Sequence, residues 1–249
     1  MYINRLKNGF RNFVLHLVPN AIFKAIQHPL KLERERFDIE KLEFGQISYS
    51  QEGEDIFLNR IFNFKPNGIF IDIGAHHPKR FSNTYLFYKM GWRGVNIDAM
   101  PGSMESFKSV RPFDVNIEAG VGMERGKLVF YIFQEPALNT FDEQQAKTYQ
   151  ANGWVFRSEK LVEVYPLDQI LDENLKTEHI DFMSIDVEGF EINILKSNNW
   201  EKYRPDYLLI EDLQFNLNGL KENQVYQFLL GVGYSFIGKT LNTIFYKAN

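Results

Sequence analysis

The chain has 249 residues, of which 44% are hydrophobic and 15% aromatic. That is ample for one large α/β domain, or one domain with a small appendage, and it excludes global disorder. A formal charge of −4 without an evident basic face argues against a nucleic-acid partner. Cysteine is absent, which excludes disulfides, thiolate metal sites and cysteine nucleophiles, and a reducing, cytoplasmic setting is expected.

The charge is unevenly spread. Residues 1–32 hold five Lys/Arg and no acid, leaving 23 basic against 32 acidic residues in the rest. Ile3, Leu6, Phe10, Phe13, Val14 and Leu17 recur at helical spacing, so residues 1–45 read as a basic amphipathic arm. Such a helix packs on the main domain, on a second copy in a homo-oligomer, or on a membrane surface. The apolar stretch from Phe13 to Phe23 is broken by His16, Pro19 and Asn20, and no small-residue cleavage site follows, so it does not read as a signal peptide. No run approaches the ~20 apolar residues of a membrane span. A catalytic domain is expected over residues 46–249.

Within it, Ser50 is expected to cap a helix over residues 52–62, with Glu52, Glu54 and Asp55 in its first turn. Pro66-Asn67-Gly68 signals a turn. Strands are then expected over 68–72, 94–98 and 114–118, with helices over 82–90 and 102–109 between them. KLVFYIF (127–133) and 161–165 are β-rich with no helix pattern between them, which predicts a small β insertion around a long loop, 134–160. Helices over 167–171, 190–195 and 222–230 alternate with strands over 180–185 and 207–210. Two final strands, 234–237 and 242–246, are joined by a turn with Gly238. The alternation predicts a mainly parallel, doubly wound, Rossmann-like sheet with an antiparallel final strand.

In such sheets ligands bind beyond the carboxyl ends of the strands. There the five core strands deliver Asp72, Asp98, Glu118, Asp186 with Glu188, and Glu211 with Asp212. The loop Gly74-Ala75-His76-His77-Pro78-Lys79 lacks the second and third glycines of a dinucleotide fingerprint, and Pro78 removes an amide. An acid leading into a short Gly/Ala turn suits an amino-acid-bearing ligand, whose carboxylate would enter loop amides. An acid at the second strand end suits two ribose hydroxyls. Together these point to S-adenosylmethionine.

Ser50-Gln51-Glu52-Gly53-Glu54-Asp55, Phe70-Ile71-Asp72-Ile73-Gly74-Ala75-His76, Ser82-Asn83-Thr84, Gly91-Trp92-Arg93-Gly94 and Ile185-Asp186-Val187-Glu188-Gly189-Phe190-Glu191 follow one another in that order. Over residues 49–212 this set resembles the FkbM family of S-adenosylmethionine-dependent methyltransferases. The resemblance implies a methyltransferase fold and O-methylation of a sugar hydroxyl, on a nucleotide sugar or a surface-polysaccharide precursor. By position it implies that Asp72, Gly74, Ala75 and His76 form the cofactor loop and that Asp98, Ala99 and Ala119 hold the nucleoside. Gln51 and Asp55 would close over the methionine end, and Asn83 and Thr84 would help orient it.

For chemistry, His77, Asp186 and Glu188 are candidate bases, with His77 preferred to His76. Asp186 with Glu211 and Asp212 also resembles the acid triplet of metal-dependent O-methyltransferases, which would take Mg²⁺ or Mn²⁺. Base and metal both remain open. Asn139 is a candidate substrate contact or part of an ordinary turn. N-methylation is disfavoured by the lack of an Asn/Asp-Pro-Pro-aromatic motif. A nucleotide-sugar oxidoreductase and a non-catalytic cofactor-binding scaffold are the competing readings.

Overall fold

In the computed structural model residues 45–249 are described, apart from residues 178 and 214; the expected N-terminal arm falls outside them. In chain order the elements are α1 (Glu54–Ile61), β1 (Ile69–Ile73), α2 (Tyr85–Met90), β2 (Arg93–Asp98), α3 (Ser103–Val110), β3 (Val115–Glu118), β4 (Gly120–Val121), β5 (Gly126–Phe133), α4 (Glu143–Ala151), β6 (Phe156–Tyr165), α5 (Leu167–Asn174), β7 (Phe182–Ile185), α6 (Glu191–Lys196), β8 (Tyr207–Glu211), α7 (Gln224–Gly231), β9 (Tyr234–Lys239) and β10 (Thr243–Ala248). Short 3₁₀ turns at Pro136–Leu138 and Leu217–Gly219 interrupt two loops.

The main sheet has seven strands in the order β3-β2-β1-β7-β8-β10-β9. All pairings from β3 to β8 are parallel. β10 runs antiparallel to both of its neighbours, β8 and β9. This is the doubly wound sheet with an antiparallel final strand that the pattern predicts. The expected insertion is a second, three-stranded sheet, β4-β6-β5.

Burial on both faces explains why these strands read as continuous apolar runs. Their side chains alternate between two cores. Ile71, Ile73, Met183, Ile185, Leu208, Ile210 and Ile244 pack with Leu171 of α5, Ile194 of α6 and Leu229 of α7. On the opposite face, Phe70, Phe182, Leu209 and Phe245 pack with Leu58 of α1, Phe87 of α2 and Trp92. The chain winds from β1 outward through β2 and β3, then returns to place β7 on the other side of β1. The ends of β1 and β7 therefore mark the switch in strand order, where a ligand crevice opens.

Three local expectations need correction. Gly53, in the left-handed region (φ 87°), holds the position before α1, and no side chain caps the helix there. Ser50 instead donates to the Asp55 carboxylate at 2.9 Å. The supposed loop 134–160 contains α4, capped by Asp142, whose carboxylate accepts from Gln145 N at 2.7 Å. Gly238 lies within β9, and the connection to β10 falls at residues 240–242.

Candidate active site

A cavity of about 420 Å³ opens at the switch point. Its near wall is the turn after β1. Gly74 has φ +79°, and a Cβ there would lie 1.7 Å from the Asp186 carbonyl oxygen, so only glycine lets the ends of β1 and β7 meet. Gly74 N and Ala75 N both donate to Ile97 O, at 3.0 and 3.1 Å. His76 N donates to the Asp98 carboxylate at 2.8 Å. His77 N donates to Ala75 O at 2.5 Å. The turn is thus closed on itself, and its amides do not form the carboxylate-binding nest that the sequence suggests.

The histidines exchange roles. His77 is exposed, and its Nδ1 accepts from Lys79 N and Arg80 N at 3.0 and 2.9 Å, so it fastens the loop and does not line the cavity. His76 does line it, with burial and the Arg80 charge pulling its pKa down to about 4, so it is neutral at physiological pH. Arg80 lies 3.2 Å from the His76 ring and pairs with Glu135 at 3.0 Å. It is the one Lys or Arg lining the cavity among the described residues, and sequence reasoning missed it.

Several expected cofactor residues prove to be supports. Asp72 is buried behind the turn, accepting from Thr84 Oγ1 at 2.5 Å. Arg111, fully buried, donates to Thr84 Oγ1 at 2.9 Å and to Asp114 at 2.8 Å. Burial pushes the Asp72 carboxyl up, and the Arg111 charge offsets part of that. Asn83 donates to Ser184 at 3.0 Å. Asp55 gathers Ser48, Tyr49 N and Ser50 at 2.6–2.9 Å and orders the segment before α1. Ala75 packs on Met104 and Phe107 of α3. None of Asp55, Asp72, Ala75, Asn83 and Thr84 lines the cavity.

Gln51, Gly74, His76, Asp98, Ala99, Ala119, Asn139, Asp186, Glu188 and Glu211 do line it. Each Asp98 oxygen takes one amide, His76 N and Met100 N, both at 2.8 Å. A carboxylate offers about four lone-pair sites, so acceptor capacity remains for a pair of hydroxyls. Ala99, Met100, Ala119, Phe130 and Phe141 supply an apolar slot beside it. Asn139 Oδ1 accepts from Phe133 N at 2.9 Å and its Nδ2 donates to Met100 Sδ at 3.7 Å, so one acceptor site and one donor are left for a ligand.

Next to the Gly74 turn, β7 and β8 end in a carboxyl cluster. One oxygen each from Asp186, Glu188 and Glu211 lies within 4.8 Å of the others. Burial and the Glu211 charge raise Asp186 well above the carboxylate range, and burial raises Glu211. Burial, then Glu211, pushes Glu188 up to about 8. The third acid is thus Glu188; the expected Asp212 turns away and accepts from Asn223 Nδ2 at 2.6 Å. Glu188 is held at φ 52°, an uncommon conformation for a side chain of its size. Tyr149 of α4 donates its hydroxyl to Glu188, and Thr140 donates to the Glu188 carbonyl at 2.7 Å. Both partners come from the segment read as loop. Asp142 followed at the third position by Gln145 is the capping signal that betrays α4.

No curated protein matches the sequence. Among solved structures, similarity is found to a TehB-like SAM-dependent methyltransferase from Corynebacterium glutamicum (9% identity, TM-score 0.41, 88% of this chain and 97% of that one). A precorrin-6y C5,15-methyltransferase from Geobacter metallireducens is also similar (11% identity, TM-score 0.38, 77% and 84%). The family described as Methyltransferase FkbM domain matches residues 72–236, from the acid behind the Gly74 turn into β9 and across about two-thirds of the sequence. The chain belongs to the FkbM family of S-adenosylmethionine-dependent methyltransferases.

Proposed function

We propose that this protein transfers a methyl group from S-adenosylmethionine to a hydroxyl of a sugar-like acceptor in the cytoplasm. The observation that carries this reading is that the Asp186–Glu188–Glu211 cluster lines one cavity together with Asp98 and Gly74. The residues present fit the cofactor: Asp98 has acceptor capacity for two ribose hydroxyls, the Ala99–Met100–Ala119 slot suits a purine, and Arg80 suits a carboxylate. Bound there, S-adenosylmethionine supplies an electrophilic methyl group on sulfur. An acceptor hydroxyl is a weak nucleophile until its proton has a destination. Glu188, with a pKa near physiological pH, is matched to take that proton as the oxygen–carbon bond forms and the carbon–sulfur electron pair returns to sulfur. A neutral amine acceptor needs no such base, which favours O- over N-methylation. The test is transfer of labelled methyl to a sugar panel alongside thermal shift. Stabilisation by S-adenosylhomocysteine and hydroxyl methylation support the reading; stabilisation by NAD(P) alone overturns it.

The loop amides are spent, so Arg80 is expected to anchor the cofactor's carboxylate. Arg80→Ala should then weaken S-adenosylhomocysteine about tenfold or more, since a charge-assisted hydrogen bond contributes ~1.5–3 kcal/mol. It should leave methylthioadenosine, which lacks the amino-acid end, unchanged. Calorimetry showing equal losses for both ligands would remove Arg80 from that role.

The spacing of the same three carboxyl groups favours a second reading, in which a divalent cation lowers the hydroxyl pKa. All-oxygen donors suit Mg²⁺ or Mn²⁺. On that reading EDTA should abolish turnover and either ion should restore it. Turnover indifferent to chelator would leave Glu188 acting alone.

A further inference from the structure

A second cleft, about 570 Å³, adjoins the cofactor cavity and shares Glu188, Glu211 and Leu213 with it. From this geometry we infer that the cleft is the acceptor site, and that it selects a polyhydroxylated molecule that is neutral or cationic and excludes phosphorylated or nucleotide-linked sugars. The inference rests on the O-methyltransferase reading and narrows its substrate class.

Position comes first. The cleft meets the cofactor cavity at Glu188, Glu211 and Leu213 and is not lined by Gly74 or Asp98, so a molecule lying in it reaches Glu188 without occupying the Gly74–Asp98 end. Alignment of that kind supplies much of the rate of a displacement at carbon. Its volume is that of a small-ligand site and far exceeds the needs of an ion.

Charge comes second. Glu188, Glu191, Glu211, Asp212 and Glu222 line the cleft, and no Lys, Arg or His does among the described residues. The remaining polar wall is amide: Gln145, Asn216, Asn223 and Gln224. Phosphate recognition calls for cations or free amides, whereas carboxylates and amides match hydroxyl arrays and ammonium groups. A diphosphate-linked sugar in this cleft would bring at least two negative charges among five acids. The cofactor cavity, with Arg80, has the opposite provision at its other end.

The test uses the full chain loaded with S-adenosylhomocysteine. Three probes are titrated by calorimetry: kanamycin as a polyhydroxylated cation, trehalose as a neutral sugar, and trehalose 6-phosphate. Kanamycin and trehalose should bind at least about tenfold more tightly than the phosphate. Glu222→Lys, at an exposed position beside the cleft, should weaken kanamycin about tenfold and leave S-adenosylhomocysteine affinity unchanged. Glu222→Gln should give an intermediate loss. Equal or tighter binding of the phosphate, no binding by any probe, or indifference to Glu222→Lys overturns the inference. Labelled-methyl transfer separates the two levels. Hydroxyl methylation of a phosphorylated sugar, unaffected by Glu222→Lys, sinks the acceptor assignment and spares the O-methyl reading. Glu222-dependent binding with methyl transfer only to nitrogen does the reverse.

Discussion

Asp186→Asn is expected to lower methyl transfer by a factor of about 10², the cost of misplacing a catalytic group by ~1 Å, because Asp186 orders the cluster in which Glu188 takes the proton, while raising the melting temperature at pH 8. Burial and the Glu211 charge raise the Asp186 carboxyl, which donates a hydrogen bond to Glu211. Asparagine keeps a donor of similar shape and removes an ionisable group. The sign follows from proton linkage: carboxyl groups with raised pKa keep protons in the folded state that the unfolded chain has released. Their contribution is fully present below the unfolded value and is lost as pH rises through the folded one. For Glu188 that window runs from 4.5 to about 8. The native protein should therefore lose stability between pH 5 and 8, and the variant should lose less. Thermal melts across that range, with single-turnover transfer, measure both halves. Unchanged turnover, or a variant less stable than wild type at pH 8, would exclude this account of the cluster.

Gly74→Ala should be nearly as damaging, by another route. The added Cβ meets backbone, the Asp186 carbonyl at 1.7 Å, which cannot swing aside as a side chain would. Left-handed strain and overpacking together are on the order of 3–5 kcal/mol, a large share of a typical folding free energy. Gly153→Ala is the control, since Gly153 has φ +88° with nothing within 4 Å of a new Cβ. Only the strain should remain there, on the order of 1 kcal/mol. Urea unfolding that finds equal losses would show that the β1–β7 junction is looser than it looks.

Much of this arrangement was legible in the sequence because it follows from periodicity. Runs such as Ile69-Phe70-Ile71 and Phe182-Met183 announce strands buried on both faces, and helices between them require parallel pairing. The acids ending those strands located the crevice. What sequence could not supply was the direction in which each acid points. Asp72, Glu118 and Asp212 sit at the ends of their strands as Asp98 and Glu211 do, yet they serve Thr84, Gly102 N and Asn223. Two-residue alternation separates Asp72 from Ile73, but whether a face holds ligand or a buried Arg111 depends on residues far along the chain. Arg80 was missed because its partners, His76 and Glu135, meet only in the folded protein.

The segment between β5 and β6 carries a consequence for how such enzymes diversify. Through Thr140 and Tyr149 it grips Glu188, and a Cβ placed on Gly189 would lie 3.8 Å from the side chains of Asp142 and Gln145. Insertion and Glu188 turn are therefore one heritable unit. A chimera that imports residues 134–160 from another member should lose Glu188's posture unless residues 187–190 travel with it, and drift in one stretch should be answered in the other.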